Sequence, residues 1–169
     1  LHGRFDLLRQ IVPRIVEAAV DSGRTDPVVV FLGDYVDRGP ESAAVIEYLL
    51  TELPTGFEWR FLKGNHEAAM LLFLEDPLRN RGWLAHGGLP TLASYGVNPL
   101  PSIGASDQAI VDAHAQLVAK MPASHMAFLK ALERYVVIGD YAFVHAGVDL
   151  GVEVERERDI DLVWAREKF

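Results

Sequence analysis

Apolar residues recur at Leu8, Ile11, Val12, Ile15 and Ala19, the spacing of one face of a helix over residues 5–20. Pro13 lies inside that stretch and counts against an unbroken helix. After the Asp26-Pro27 punctuation the pattern changes. Residues 28–32 are apolar without alternation, as in a strand buried on both faces, and Gly33 ends the run. Pro40 with Glu41 fits the start of a second helix, whose inner face carries Val45, Ile46, Leu49, Leu50 and Leu53 until Pro54. Residues 57–62 predict another strand, closed by Lys63-Gly64, and residues 66–74 a helix that stops at Asp76-Pro77. The strand, loop, helix unit has repeated. Residues 87–107, rich in Gly, Pro and Ser, read as loop with short ordered pieces. Residues 108–119 and 123–134 read as helices, and 135–138 with 141–144 as a hairpin around Gly139-Asp140. With no internal repeat and no low-complexity tract, the pattern predicts a single α/β domain over residues 1–169.

Three predicted strands are each followed at once by a residue able to bind metal. The strings are VVVFLGD, FEWRFLKGN and YAFVH, ending in Asp34, Asn65 and His145. In open α/β sheets, ligands bind beyond the carboxyl ends of strands, where loops carry side chains on a rigid base. These three residues are therefore expected to meet in space. A mixed oxygen and imidazole set suits zinc, iron or manganese better than calcium or magnesium. Singly, each has a simpler explanation: an Asp after a strand caps or turns, an Asn after Gly turns, and a His after a strand is a satisfied polar residue. Together, GDYVDRG, GNHE and FVHAG crowd polar groups onto three strand ends of one short chain. Coincidence is the weaker account.

Composition narrows the chemistry. Half of the 169 residues are hydrophobic, enough for one core but hardly two. A formal net charge of −8 disfavours a sequence-independent nucleic-acid binder, and bound cations would neutralise part of it. The absence of cysteine removes disulfide scaffolds, zinc–thiolate sites and thiolate nucleophiles. No apolar run is long enough to span a bilayer and no signal-peptide pattern opens the chain. The expectation is a cytoplasmic protein with neither a membrane nor a nucleic acid as partner.

LHG at the start, GDYVDRG, GNHE and VHAGV resemble, in this order, the successive signatures of the calcineurin-like metallophosphoesterases. The Asp-Arg-Gly of the second motif and Glu67 of the third are similar to the phosphoprotein phosphatase branch. TLASYG and DLVWARE resemble its small bacterial and phage-type members. The resemblance implies a four-layered α/β/β/α sandwich with two divalent metal ions at the strand ends, manganese first, iron or zinc as alternatives. It implies that His2 binds the first metal, Asp34 bridges both, and Asn65 and His145 bind the second. A bridging carboxylate holds such ions about 3.5 to 4 Å apart, close enough to share a hydroxide that attacks phosphorus in line. Arg38 and Arg166 would clamp the phosphate through paired guanidinium bonds, although Arg166 read alone is an exposed helix residue. His66 would be the general acid for the leaving alkoxide, its ring oriented by Asp37. The implied reaction is hydrolysis of a phosphomonoester, on a serine or threonine phosphoprotein or phosphopeptide.

The family pattern also places a metal-binding Asp ahead of Leu1 and a Gly-His motif after Phe169. The domain is thus expected to be truncated at both termini and weak or inactive by itself. Two other functions compete. A diadenosine polyphosphate hydrolase is one, although its relatives usually lack the Asp of DRG and carry Asp in place of Glu67. The other is a non-catalytic binding module, implied if the missing ligands are a genuine feature. His86 matches no ligand motif and reads as a loop residue near the site; His114 and His125 read as structural. Residues 153–159 alternate in sign and read as a solvated surface segment. Glu67 reads as support for a helix start or an inner hydrogen bond.

Overall fold

A computed structural model describes residues 1–23, 25–102, 104–149 and 151–164. It is a mixed α/β structure. Helix α1 (Phe5–Asp21) leads to strand β1 (Val28–Phe31), helix α2 (Ser42–Thr51) connects β1 to β2 (Glu58–Phe61), and α3 (Asn65–Glu75) follows. A short segment (Leu84–Gly88) kinked at Gly87 runs into α4 (Leu89–Ser94), followed by α5 (Asp107–Lys120) and α6 (Ala123–Ala131). The hairpin β3 (Val136–Ile138) and β4 (Tyr141–Phe143), a 3-10 turn (Val154–Arg156) and α7 (Asp159–Trp164) complete the described elements.

Strands β1 and β2 pair in parallel, Val28 opposite Glu58 and Phe31 opposite Phe61, so their carboxyl ends lie side by side. Order continues past them: the Leu62 amide donates to the Phe31 carbonyl at 2.9 Å and the Lys63 amide to the Glu133 carbonyl at 2.8 Å. Strands β3 and β4 pair in antiparallel register around the predicted Gly139-Asp140 turn. Beneath the strand ends, Phe61 packs edge-on against Phe128 of α6 with ring centroids 5.3 Å apart, and Tyr35 does so at 5.7 Å. The Tyr35 hydroxyl donates to the Leu62 carbonyl at 2.9 Å, tying the loop after β1 to the end of β2.

Helix α1 continues through Pro13, which faces solvent, while Leu8 and Val12 join a core with Val45 and Ile46 of α2 and Met70 and Phe73 of α3. Burying each such side chain is worth about 1.5 to 3 kcal/mol, enough to offset the roughly 3 kcal/mol of an interior proline. The buried face is narrower than its spacing suggests, since Ile11 stays exposed. Two other expectations are corrected. Strand β1 is only partly buried, with Val28 at 38% exposure and Leu32 just beyond it at 48%; an apolar run reads the same whichever face is covered. The stretch 87–107, expected to hold short ordered pieces, contains the six-residue α4, where Pro90 sits harmlessly in the first turn and Thr91 and Leu92 are buried. In the stretch 153–159, Glu157 is buried and accepts the Asp149 amide, while its carbonyl accepts from Arg134. Alternating charge concealed an anchor there.

Candidate metal and phosphate site

Among the described residues, four that are not glycine have left-handed backbone: His2 (φ 49°), Asp34 (57°), Asp37 (72°) and Arg38 (65°). All four were expected at the site. Such conformations cost about 1 to 3 kcal/mol each and persist only where surrounding structure over-determines them. Here the segments are cross-stitched through their main chains. The His2 amide donates to the Asp34 carbonyl at 2.6 Å, the Gly39 amide to the His2 carbonyl at 2.9 Å, and the Arg38 amide to the Gly87 carbonyl at 3.0 Å.

Glycine lets the ends of β1 and β2 meet. A Cβ on Gly64 would lie 2.3 Å from Asp34 Oδ1, and one on Gly33, whose φ is +97°, would lie 2.5 Å from the Gly64 nitrogen. Asp34 therefore sits against the N-terminus of α3. Glu67, fully buried, fixes this contact from below. Its Oε1 accepts the amides of Tyr35 (2.7 Å) and Val36 (3.1 Å), and its Oε2 those of Asp34 (2.8 Å) and Gly64 (3.0 Å). Burial pushes the Glu67 carboxyl up, and the backbone amides oppose that shift.

Asp34 presents one carboxylate oxygen to each of two imidazoles. His2 Nε2 lies 3.4 Å from Oδ2, and His145 Nε2 lies 3.5 Å from Oδ1. His145 Nε2 is also 3.1 Å from Asn65 Oδ1. Both rings are oriented by backbone: Nδ1 of His145 donates to the Leu32 carbonyl, and Nδ1 of His2 to the Val36 carbonyl at 3.3 Å. These bonds assign the hydrogen to Nδ1 and leave each Nε2 a lone pair directed at Asp34. Burial holds His2 below its ordinary value and so favours the neutral ring, against the pull of Asp34, which favours the charged one. Lone pairs facing carboxylate oxygens repel unless positive charge lies between them. The donor set thus fits two divalent cations, one beside His2 and Asp34 Oδ2, the other beside Asp34 Oδ1, Asn65 and His145.

His66 lies next to this set. Its Nδ1 is 2.8 Å from Asp37 Oδ2, and its Nε2 accepts from the Arg38 guanidinium at 3.1 Å. The His66 and His2 rings meet edge-on, centroids 4.7 Å apart, and a donor atom of His66 falls within 4.8 Å of those of His2 and Asp34. With both ring nitrogens engaged by protein, however, His66 has no lone pair to give a cation. Arg38, Asn65, His66, Trp83, His86 and Trp164 line a cavity of about 270 Å³. His86 is exposed there, its Nδ1 2.7 Å from the Gly82 carbonyl. Arg166 lies outside the described residues. His114 bonds the Leu74 carbonyl, and His125 joins Tyr95 to Glu47, both away from the site.

Sequence reasoning missed Trp83, Thr91 and Ser42. All three bond Asp37, which is fully buried. The available signal was indirect: a carboxylate buried behind a histidine needs several donors, and the Gly-rich stretch after Trp83 holds suitable ones.

The family model of the calcineurin-like phosphoesterases matches residues 1–126. The chain belongs to that family. A search of curated proteins finds no match to the chain. Family membership makes metal-dependent phosphoester hydrolysis, with two divalent metal ions, the chemistry of this fold, as the motifs implied. The matched span of the phosphoesterase holds His2, Asp34, Arg38, Asn65 and His66; His145 lies beyond it and reaches Asp34 on the segment that follows β4.

Proposed function

We propose that the chain is the catalytic domain of a manganese-preferring phosphomonoester hydrolase that acts on phosphoserine and phosphothreonine proteins in the cytoplasm. One observation supports this reading over nucleotide hydrolysis: the buried Asp37–His66 pair, 2.8 Å apart, beside the two-sided carboxylate of Asp34. A serine or threonine alkoxide is a poor leaving group and needs a proton. A nucleoside phosphate leaving from a phosphoanhydride is stable without one, so a locked acid is of most use to an alkyl monoester.

Two bound divalent cations supply charge to the phosphate oxygens and acidify an attacking water. The chain's own groups do the rest. Arg38, exposed at the cavity, turns its guanidinium from His66 Nε2 to the phosphate, donating two parallel bonds. That turn frees Nε2. Asp37 holds the Nδ1 hydrogen and the ring's orientation, and the freed Nε2 takes a proton from solvent and passes it to the departing oxygen.

His66→Asn tests this reading on three substrates in the metal-loaded protein. Phosphoserine peptide turnover should fall by about 10² to 10⁴-fold, and an activated aryl phosphate, which leaves as a stable phenolate, should lose far less. Equal losses with metals retained would remove His66 as the acid. Preferred turnover of diadenosine tetraphosphate would replace the phosphatase reading with the nucleotide one. Two bound metals without turnover of any ester would mark a binding module.

A further inference from the structure

The carboxylate that supports His66 is itself held by Ser42, Trp83 and Thr91, to which the sequence motifs assign no role. Asp37 Oδ2 accepts from the Trp83 indole Nε1 at 2.8 Å in addition to His66 Nδ1. Its Oδ1 accepts from the Thr91 hydroxyl at 2.7 Å. Thr91 Oγ1 and Ser42 Oγ both receive the Asp37 amide, at 2.9 and 3.1 Å, and lie 3.0 Å from each other. Since the Thr91 hydrogen goes to Asp37, the hydrogen between the two hydroxyls comes from Ser42. The Asp37 carboxylate is thus met only by donors, the Thr91 hydroxyl on Oδ1 and the Trp83 indole and His66 ring on Oδ2, and an indole can only donate. That leaves Oδ2 free to accept from His66 and fixes the ring's Nδ1 hydrogen.

The geometry of Trp83 is enforced by packing as well. Its ring stands 4.8 Å from Phe73, and a Cβ on Gly88 would lie 2.6 Å from the indole. The segment that begins after Trp83, kinked at Gly87 (φ +115°), is in turn pinned to the Arg38 amide through the Gly87 carbonyl. Trp83 and Thr91 sit at opposite ends of one short segment that closes over Asp37 like a clasp.

We infer that Trp83 and Thr91 are positioning residues for phosphoryl transfer: they hold the Asp37 carboxylate so that His66 keeps its Nδ1 hydrogen and aims Nε2 at the leaving group. The inference rests on the reading of His66 as the acid, and the experiment separates the two. Trp83→Phe keeps an aromatic ring against Phe73 and Gly88, Thr91→Val keeps the shape without the hydroxyl, and Thr91→Ser keeps the hydroxyl.

Two readouts are paired. In metal-free protein, the His66 ring N–H is followed by nitrogen-resolved NMR; it should exchange slowly in the parent and in Thr91→Ser, and faster in Trp83→Phe and Thr91→Val. In manganese-loaded protein, both disruptive variants should lower kcat for a phosphoserine peptide on the order of 10-fold, as when a group orienting a reactive imidazole is lost. KM and metal content should hold, an activated aryl phosphate should be nearly unaffected, and Thr91→Ser should recover the rate. Should Trp83→Phe unfold, the Thr91 pair carries the comparison. Equal losses on both esters, or unchanged exchange of the His66 N–H, would overturn the inference. A split between esters in His66→Asn with none in Trp83→Phe or Thr91→Val would sink it while leaving the acid in place. Faster exchange in those variants with no split in His66→Asn would support the positioning contacts and sink the acid reading instead.

Discussion

Arg38 shows how one residue can serve two partners in turn. Its left-handed backbone is fixed through the Gly87 carbonyl, while its exposed guanidinium donates to His66 Nε2 at 3.1 Å. A single bond to a neutral ring nitrogen is weaker than two parallel bonds from the same cation to an anionic phosphate, so an arriving phosphate should win the guanidinium. Arg38→Ala should leave metal stoichiometry intact, weaken inhibition by inorganic phosphate and lower kcat/KM together, by about 10² to 10⁴-fold for the loss of two charge-assisted bonds of about 1.5 to 3 kcal/mol each. Unchanged phosphate inhibition would show that the guanidinium serves only His66. At this scale the sequence was most informative where chemistry is carried by end-of-strand residues. Asp34, Asn65 and His145 were expected together and are brought together. Trp83 and Thr91 escaped because an indole and a hydroxyl signal nothing until the buried charge they contact is placed.

Strand and helix ends are joined by two carboxylates that differ in setting. Glu67 is buried and accepts four amides from the loop after β1 and the start of α3. Glu67→Gln would turn an NH₂ group toward two of those amides, leaving donors facing donors, and should destabilise the fold by about 2 to 4 kcal/mol; the urea midpoint measures it. Glu133 instead pairs at the surface with Arg60 of β2, accepting Nε–H at 2.7 Å, both side chains about one-third exposed. The Arg60 hydrogen bonds hold its carboxyl below the ordinary value of 4.5. The pair therefore stabilises fully above that value and loses its contribution as pH falls through the lowered folded-state one. Glu133→Gln should cost about 0.5 to 1 kcal/mol at neutral pH, given solvent screening, and nothing in strong acid; a pH-independent cost would refute the ionic origin. Long periodic elements such as α1, α3 and α5 were legible in the sequence because one face of each is buried. Helix α4 was legible only as a short ordered piece, since glycine and proline at its start mimic loop composition, and burial of β1 was not legible, since sequence does not say which faces are covered.

For the molecule as a whole, the same acceptors that suit two cations make the metal-free fold electrostatically uneasy. Two imidazole lone pairs converge on one carboxylate, and an amide oxygen meets one of the same imidazoles, in a chain whose formal net charge is −8. A ligand that binds only the folded state adds RT ln(1 + [L]/Kd), about 2.7 kcal/mol at a hundredfold excess over Kd. Manganese should therefore raise the Tm, and a chelator should lower it to the metal-free value. Asp34→Asn separates function from stability, because it removes the charge shared by both cation positions while nearly preserving shape. The variant should lose the manganese-dependent rise in Tm, bind little metal by elemental analysis and fall to near-background turnover. Its metal-free Tm should equal or exceed that of the parent, since one source of repulsion is gone. An intact manganese shift in Asp34→Asn would show that the carboxylate merely shapes the turn after β1; a metal-free Tm well below the parent's would show that its charge supports the fold rather than opposing it.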